Sequence, residues 1–294
     1  MKTKTIETEI KYLEKAEQIV KRFEKETLLN IHSSLDDFYA WFYDLLTGLS
    51  PSSIRLYKAA MVYYFEQIKA PIQIIDLIKN IHIEQTDELP KRTSALKNKK
   101  VMEPVLKKVV SRILNTKSEY SIFTALLLVT NLYFGFRPVE WKSAVYDDKS
   151  ITIKNAKATN GRANGKYRVI SFQKKNDYFT LAKALIAQID SLLKKHTWET
   201  VYASSRSLLY YTQYDIPAED KISFYSTRHQ VAANLKKTGL SREEIAIIMG
   251  HKSINTASIH YAKKNVGRRI KKDEIPRCKP TNMLLNSNIV MRSE

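Results

Sequence analysis

Apolar positions in the first ninety residues recur at intervals of three, four or seven: Ile10, Leu13, Val20 and Phe23, then Leu35, Phe38, Phe42 and Leu45. That spacing lines one face of a helix, so the N-terminal region reads as a small helical bundle. Ser34 followed by Asp37 marks a helix start. Ser50-Pro51 sets a capping hydroxyl before a proline whose missing N–H costs nothing at a first helical position. A helix is therefore expected over Pro51–Gln67, turning Ile54, Tyr57, Met61, Tyr64 and Phe65 into a core. From Glu88 the pattern breaks into Leu89-Pro90-Lys91-Arg92 and then Lys97, Lys99 and Lys100, which reads as a basic linker over 88–101. Helical spacing resumes over 105–114 and 121–133, closed by Gly135.

After Trp141 the period drops to two. Ile151 and Ile153, then Val169 and Ser171, alternate with polar residues, and Asn160-Gly161 and Asn164-Gly165 lie between them as turn dipeptides. A β-hairpin with a long tip is expected. Residues 149–176 contain no acidic side chain but hold Lys149, Lys154, Lys157, Arg162, Lys166, Arg168, Lys174 and Lys175, which suits a finger laid on a phosphate backbone. Helices are expected again over 179–193, 226–237 and 241–249. Ser241 and Glu244 form a capping box, and Gly239 and Gly250 stand at C-terminal caps. Trp41, Trp141 and Trp198 are assigned to the core.

Composition narrows the partners. The 294 residues are 44% hydrophobic, enough for two folded domains, and 49 Lys+Arg against 30 Asp+Glu leave a net charge of +19. Such an excess calls for a polyanion, which charge alone leaves as DNA, RNA or an acidic membrane. The most apolar stretch, 122–136, is shorter than the ~20 residues of a membrane span and contains Thr124, Thr130 and Asn131, so neither an anchor nor a signal peptide is expected. One cysteine, Cys278, forms no internal disulfide, and a cytoplasmic location is the default. There is no phosphate-binding glycine loop, and His229, His251 and His260 lack zinc spacing, so no metal or nucleotide cofactor is expected.

A phosphodiester can be cut without metal if cations clamp its non-bridging oxygens, a nucleophile attacks in line, and an acid protonates the leaving oxygen. The ordered motifs Gly135-Phe136-Arg137-Pro138-Val139-Glu140, Ser226-Thr227-Arg228-His229 and Met249-Gly250-His251, followed by Tyr261, resemble those of the tyrosine recombinases, also called phage integrases. Ser53-Ile54-Arg55-Leu56-Tyr57 is similar to a segment of that family's core-binding domain. The resemblance implies a mainly α fold with a small β-hairpin or sheet. A helical SAM-like core-binding domain (1–87) would precede a mixed α+β catalytic domain (102–270), with a tail (271–294) docking on a neighbouring subunit through 283–290.

It also implies roles. Tyr261 would attack the phosphate to form a 3′-phosphotyrosyl link, Arg137 and Arg228 would stabilise the transition state, His251 would hydrogen-bond the phosphate, and Glu140 would buttress Arg137. The general acid would be a hairpin lysine, as in the family. Lys154, Lys157 and Lys166 compete, and Lys157 is favoured because it falls just after the strand and before the tip, where the family's lysine sits. The partner would be double-stranded DNA at specific sites, bound by a homotetramer. Lys97, Lys99, Lys100, Lys154, Arg162, Lys166 and Arg168 would serve as backbone contacts. Two departures stand out: Tyr225 occupies the slot of the family's usual histidine, and Tyr261 lies one residue late, leaving His260 at the usual slot. A DNA-binding accessory protein without chemistry and a type IB topoisomerase are the competing functions.

Overall fold

The computed structural model describes residues 6–84, 98–158, 163–171, 177–255, 261, 263–271 and 275–281. They fall into two compact units divided between Leu96 and Lys97. Lys97 with the rest of 88–97, the tip residues Asn160, Gly161 and Arg162, Lys174, Lys175, His260 and 283–290 lie outside the described residues.

The first unit holds α1 (Ile6–Thr27), α2 (Leu35–Thr47), α3 (Pro51–Gln67) and α4 (Ile72–Asn80). α1 and α4 both pack on α3. The start of α3 follows from its sequence: Pro51 stands in the first turn, and the Ser50 hydroxyl accepts the Ser53 N–H at 3.3 Å. Its buried face is Ile54, Ala60, Met61 and Phe65, with Tyr57 and Tyr64 packed at the margin. Phe23, Phe38, Phe42 and Phe65 are wholly buried, each contributing ~1.5–3 kcal/mol, and Phe38 meets Phe23, Phe42 and Phe65 at 5.3–5.6 Å between ring centres.

The second unit contains α5 (Glu103–Leu114), α6 (Ser121–Phe134), a 3₁₀ turn (Pro138–Ser143), β1 (Val145–Tyr146), β2 (Ser150–Lys154) and β3 (Tyr167–Ser171). After these come α7 (Asp177–Leu193), α8 (Trp198–Tyr211), α9 (Phe224–Thr238), α10 (Arg242–Met249) and β4 (Arg277–Thr281). The protein is therefore mainly α with one small sheet. α6 is apolar nearly all round and packs against α5, α7, α8 and α9, as a helix without a polar face must. It ends at Gly135, whose φ of +61° is left-handed, and whose missing Cβ would lie 2.9 Å from Val231 Cγ1 of α9. No larger residue would let the chain turn there so close to α9.

The sheet is antiparallel in the order β1-β2-β3-β4, with Ile153 opposite Arg168 and Ile170 opposite Cys278. Two features depart from the sequence expectation. Ser150, Ile151, Thr152 and Ile153 are all buried, so β2 is covered on both faces rather than alternating. Residues 277–281, assigned above to a tail, instead form β4 against β3, and Pro280 is accommodated because an outer strand can spare an N–H.

Candidate active site

Three arginines converge on one carboxylate inside the second unit. Arg137 follows Gly135 out of α6. Its backbone N–H donates to Glu140 Oε2 at 2.8 Å and its Nη1 to Oε1 at 2.7 Å, closing the first turn of the 3₁₀ segment on itself. Arg168 enters from β3. Its Nη2 donates to Glu140 Oε2 at 2.6 Å, its Nη1 donates to the Ile248 carbonyl of α10, and its guanidinium lies 5.0 Å from the Phe136 ring centre. Arg228, on α9, donates through Nη1 to the Gly135 carbonyl and through Nη2 to the Met249 carbonyl at 2.6 Å. The closed ends of α6 and α10, both left-handed glycine caps, are thus fixed by the same side chain.

These groups are out of water: Arg137 is 7% exposed, Arg168 and Arg228 0%, and Glu140 1%. Burial alone would raise the Glu140 pKa, but Arg168, then Arg137 and Arg228, outweigh it and hold the carboxyl down at about 2. Burial lowers the Arg228 pKa below its ordinary value. Three buried guanidiniums face one buried carboxylate, so the cluster carries a positive excess of two that an anion would neutralise.

Tyr261 completes the cluster. Arg228 Nε donates to its hydroxyl at 2.8 Å, and that oxygen lies 3.2 Å from His251 Nε2. A guanidinium only donates, so the 2.9 Å contact between Arg228 Nη2 and His251 Nε2 makes Nε2 an acceptor and puts the imidazole proton on Nδ1. Burial, followed by the charges of Arg228, Arg137 and Arg168, pushes the His251 pKa down to about 2. The imidazole is neutral at physiological pH. The Tyr261 hydroxyl oxygen thus accepts from Arg228 and lies beside a neutral His251 whose single Nε2 lone pair already faces Arg228.

Lys157 is exposed in the turn after Asn155, and the neighbouring Ala156 N–H donates to Glu140 Oε1 at 3.2 Å, which holds that turn against the cluster. Lys154 is half-buried, and Lys166, Lys99 and Lys100 are exposed. Arg168 is the correction among the expected backbone contacts: it is not an exposed hairpin cation but a buried one, ion-paired to Glu140 inside the cluster. Tyr225, 37% exposed, stands one helical turn before Arg228 on α9, and partial burial raises its pKa. Among the described residues no three His, Cys, Asp or Glu side chains converge as a metal cage, and no helix is long and apolar enough to cross a membrane.

The model of the phage integrase family matches residues 103–268, more than half of the chain. The protein belongs to the phage integrase family. It is thus a tyrosine site-specific recombinase, and the matched span of this integrase runs from α5 past Tyr261 and includes every residue of the cluster. Three solved structures illustrate the similarity. XerH recombinase bound to its difH substrate before cleavage is 18% identical with a TM-score of 0.48, over 84% of this chain and 73% of that one. XerA recombinase is 15% identical with a TM-score of 0.38, over 90% of each chain. A lambda integrase tetramer bound to a Holliday junction is 14% identical with a TM-score of 0.42, over 87% of this chain and 79% of that one. No curated protein matches the sequence.

Sequence reasoning missed two buried amides that assemble the site of this integrase. Asn131 donates to the Phe136 carbonyl and to Thr227 Oγ1, both at 2.9 Å, and accepts from Trp141 Nε1 at 3.0 Å, tying α6, the Arg137 loop and α9 together. Its signal was an amide in a largely apolar run. Asn155 Nδ2 donates to the Asn164 and Gly165 carbonyls at 3.2 and 2.8 Å, closing the base of the hairpin tip next to Lys157.

Proposed function

We propose that this recombinase cuts and rejoins duplex DNA through a phosphotyrosyl intermediate on Tyr261. Tyr261 carries the proposal: its hydroxyl already rests on Arg228, inside a buried cluster whose positive excess suits a phosphodiester. The Tyr261 hydroxyl gives up its proton to solvent as its oxygen attacks phosphorus, the P–O5′ bond breaks, and a 3′-phosphotyrosyl ester and a free 5′-hydroxyl result. Arg137 and Arg228 hold the non-bridging oxygens as charge builds on them, and Lys157 gives its proton to the departing 5′-oxygen. His251 is a neutral hydrogen-bonding group at the phosphate, and Tyr225 can add a phenolic donor but no base near neutral pH.

The ester conserves the energy of the broken bond, so a 5′-hydroxyl from a second duplex reseals it with neither metal nor ATP. The helical first unit is proposed as the core-binding domain that grips the same DNA. The exposed lysines Lys99, Lys100 and Lys166 add phosphate contacts, and two DNA sites would be held by four copies of the chain. A nicked suicide substrate in excess EDTA tests the reading. A covalent adduct that forms in EDTA supports it, whereas cleavage that requires added Mg²⁺, or binding without any adduct, overturns it. Recombination between two duplexes, as opposed to relaxation of one supercoiled circle, separates strand exchange from topoisomerase action.

A further inference from the structure

Beside the arginine cluster, Pro138 and Val139, which directly follow Arg137, form one wall of a cleft of about 410 Å3. The opposite walls come from α8 and the start of α9, and they are aromatic and basic. Trp198 and Tyr202 stack with ring centres 6.0 Å apart and planes within 5°. Arg206 lies 6.0 Å from the Tyr202 ring centre and Lys221 Nζ 5.4 Å from that of Tyr210. Tyr225 faces the same space, and among the described residues no carboxylate lines it. Tyr210 is 64% exposed at the rim.

Flat π surfaces interleaved with cations and free of acidic groups are the chemistry that holds an unpaired base on an anionic strand, whatever the base. The volume lies within the ~300–1,000 Å3 of small-ligand clefts, room for a nucleobase and its sugar. A paired base has both faces already stacked, so the occupant must come from a strand that has left its duplex. The reaction proposed above creates one, because the strand freed by Tyr261 has to unpair at its 5′ end before it can join a partner duplex.

We propose that this cleft binds an unpaired nucleobase at the 5′ end of the freed strand, stacked among Tyr202, Tyr210 and Tyr225 with Arg206 and Lys221 at its phosphates. The inference rests on the phosphotyrosyl reading. On it, Tyr225 serves as a stacking surface, and the strand is parked beside the phosphate it has just left.

A site with a bridging 5′-phosphorothioate and mismatches opposite the first three nucleotides of the freed strand tests both levels separately, since the released thiol does not reverse the ester and the 5′ end is unpaired while the rest of the strand remains annealed. With 5-iododeoxyuridine at each of the first three nucleotides of that strand, ultraviolet light should crosslink the full chain at Tyr202 or Tyr210. The crosslink should be absent from uncut DNA held by Tyr261→Phe. Tyr210→Ala should lower the crosslink yield about tenfold, the scale of one lost base–aromatic stack, at unchanged yield of the Tyr261 adduct. An adduct without a crosslink at any of the three positions, a crosslink undiminished in Tyr210→Ala, or an equal crosslink from uncut DNA each overturns the base site alone. Absence of the adduct overturns the phosphotyrosyl reading, and the base site with it.

Discussion

Glu140→Gln is nearly isosteric, yet it removes the one buried anion from a cluster of three buried guanidiniums. The amide nitrogen would point a donor at Arg137 or Arg168, both of which only donate. The cost follows from the protonation equilibrium. A carboxyl held at about 2 in the fold, against 4.5 in the unfolded chain, is stabilised as the anion by roughly 3 kcal/mol at neutral pH. That agrees with the ~3–5 kcal/mol of breaking a buried ion pair from one side. For a domain of this size each kcal/mol moves Tm by roughly 2–4 °C, so the variant should melt about 10 °C below wild type at pH 7.

The pH dependence has a definite sign. Because the folded pKa is depressed, the contribution is complete above about 4.5 and is lost as pH falls toward about 2. Thermal unfolding at a series of pH values from 7 to 3 should therefore show the gap between the two proteins closing in acid. A variant melting within ~2 °C of wild type at pH 7, or a gap that does not depend on pH, would show that Glu140 does not neutralise the cluster.

Arg137→Ala and Arg228→Ala should each slow single-turnover cleavage at least ~10²-fold, the usual loss for one preorganised oxyanion donor, and wild-type rates would remove them from the transition state. Lys157→Ala should be slow on a normal site and largely rescued by a bridging 5′-sulfur, which leaves without protonation; equal defects on both substrates would pass the acid role to Lys154 or Lys166. Gly250→Ala should destabilise the second unit by more than the ~1 kcal/mol of a left-handed alanine, because its Cβ would sit 2.7 Å from Arg168 Cζ; urea unfolding within ~0.5 kcal/mol of wild type would contradict that packing.

Local signals were readable wherever the chemistry is local. Ser50-Pro51 opens α3, Ser241 and Glu244 cap α10, and Gly135, Gly239 and Gly250 adopt the left-handed caps expected of them. The Arg137 and Glu140 pair is likewise written in one short stretch, and Tyr261 reaches Arg228 and His251 despite its displaced spacing. Arg168 could not be told from its basic neighbours in the sequence, because its burial depends on Glu140, 28 residues away, and on a carbonyl 80 residues away. α8 was missed because Ser205 breaks the apolar stripe of Trp198, Val201 and Leu209, a small hydroxyl that the helix satisfies by bonding to the Val201 carbonyl. β4 carries proline and two cations in five residues and becomes a strand only because β3 offers an open edge.

The central claim is that Tyr261 is the nucleophile. Trapping the protein on a suicide substrate and sequencing the DNA-linked peptide by mass spectrometry tests it most directly, with Tyr261→Phe as the partner experiment. The linkage should map to Tyr261, and Tyr261→Phe should bind DNA with nearly the wild-type affinity, since one hydroxyl adds little to many phosphate contacts, while forming no adduct. A linkage on any other residue, His260 included, or an adduct of undiminished yield in Tyr261→Phe, would contradict the account.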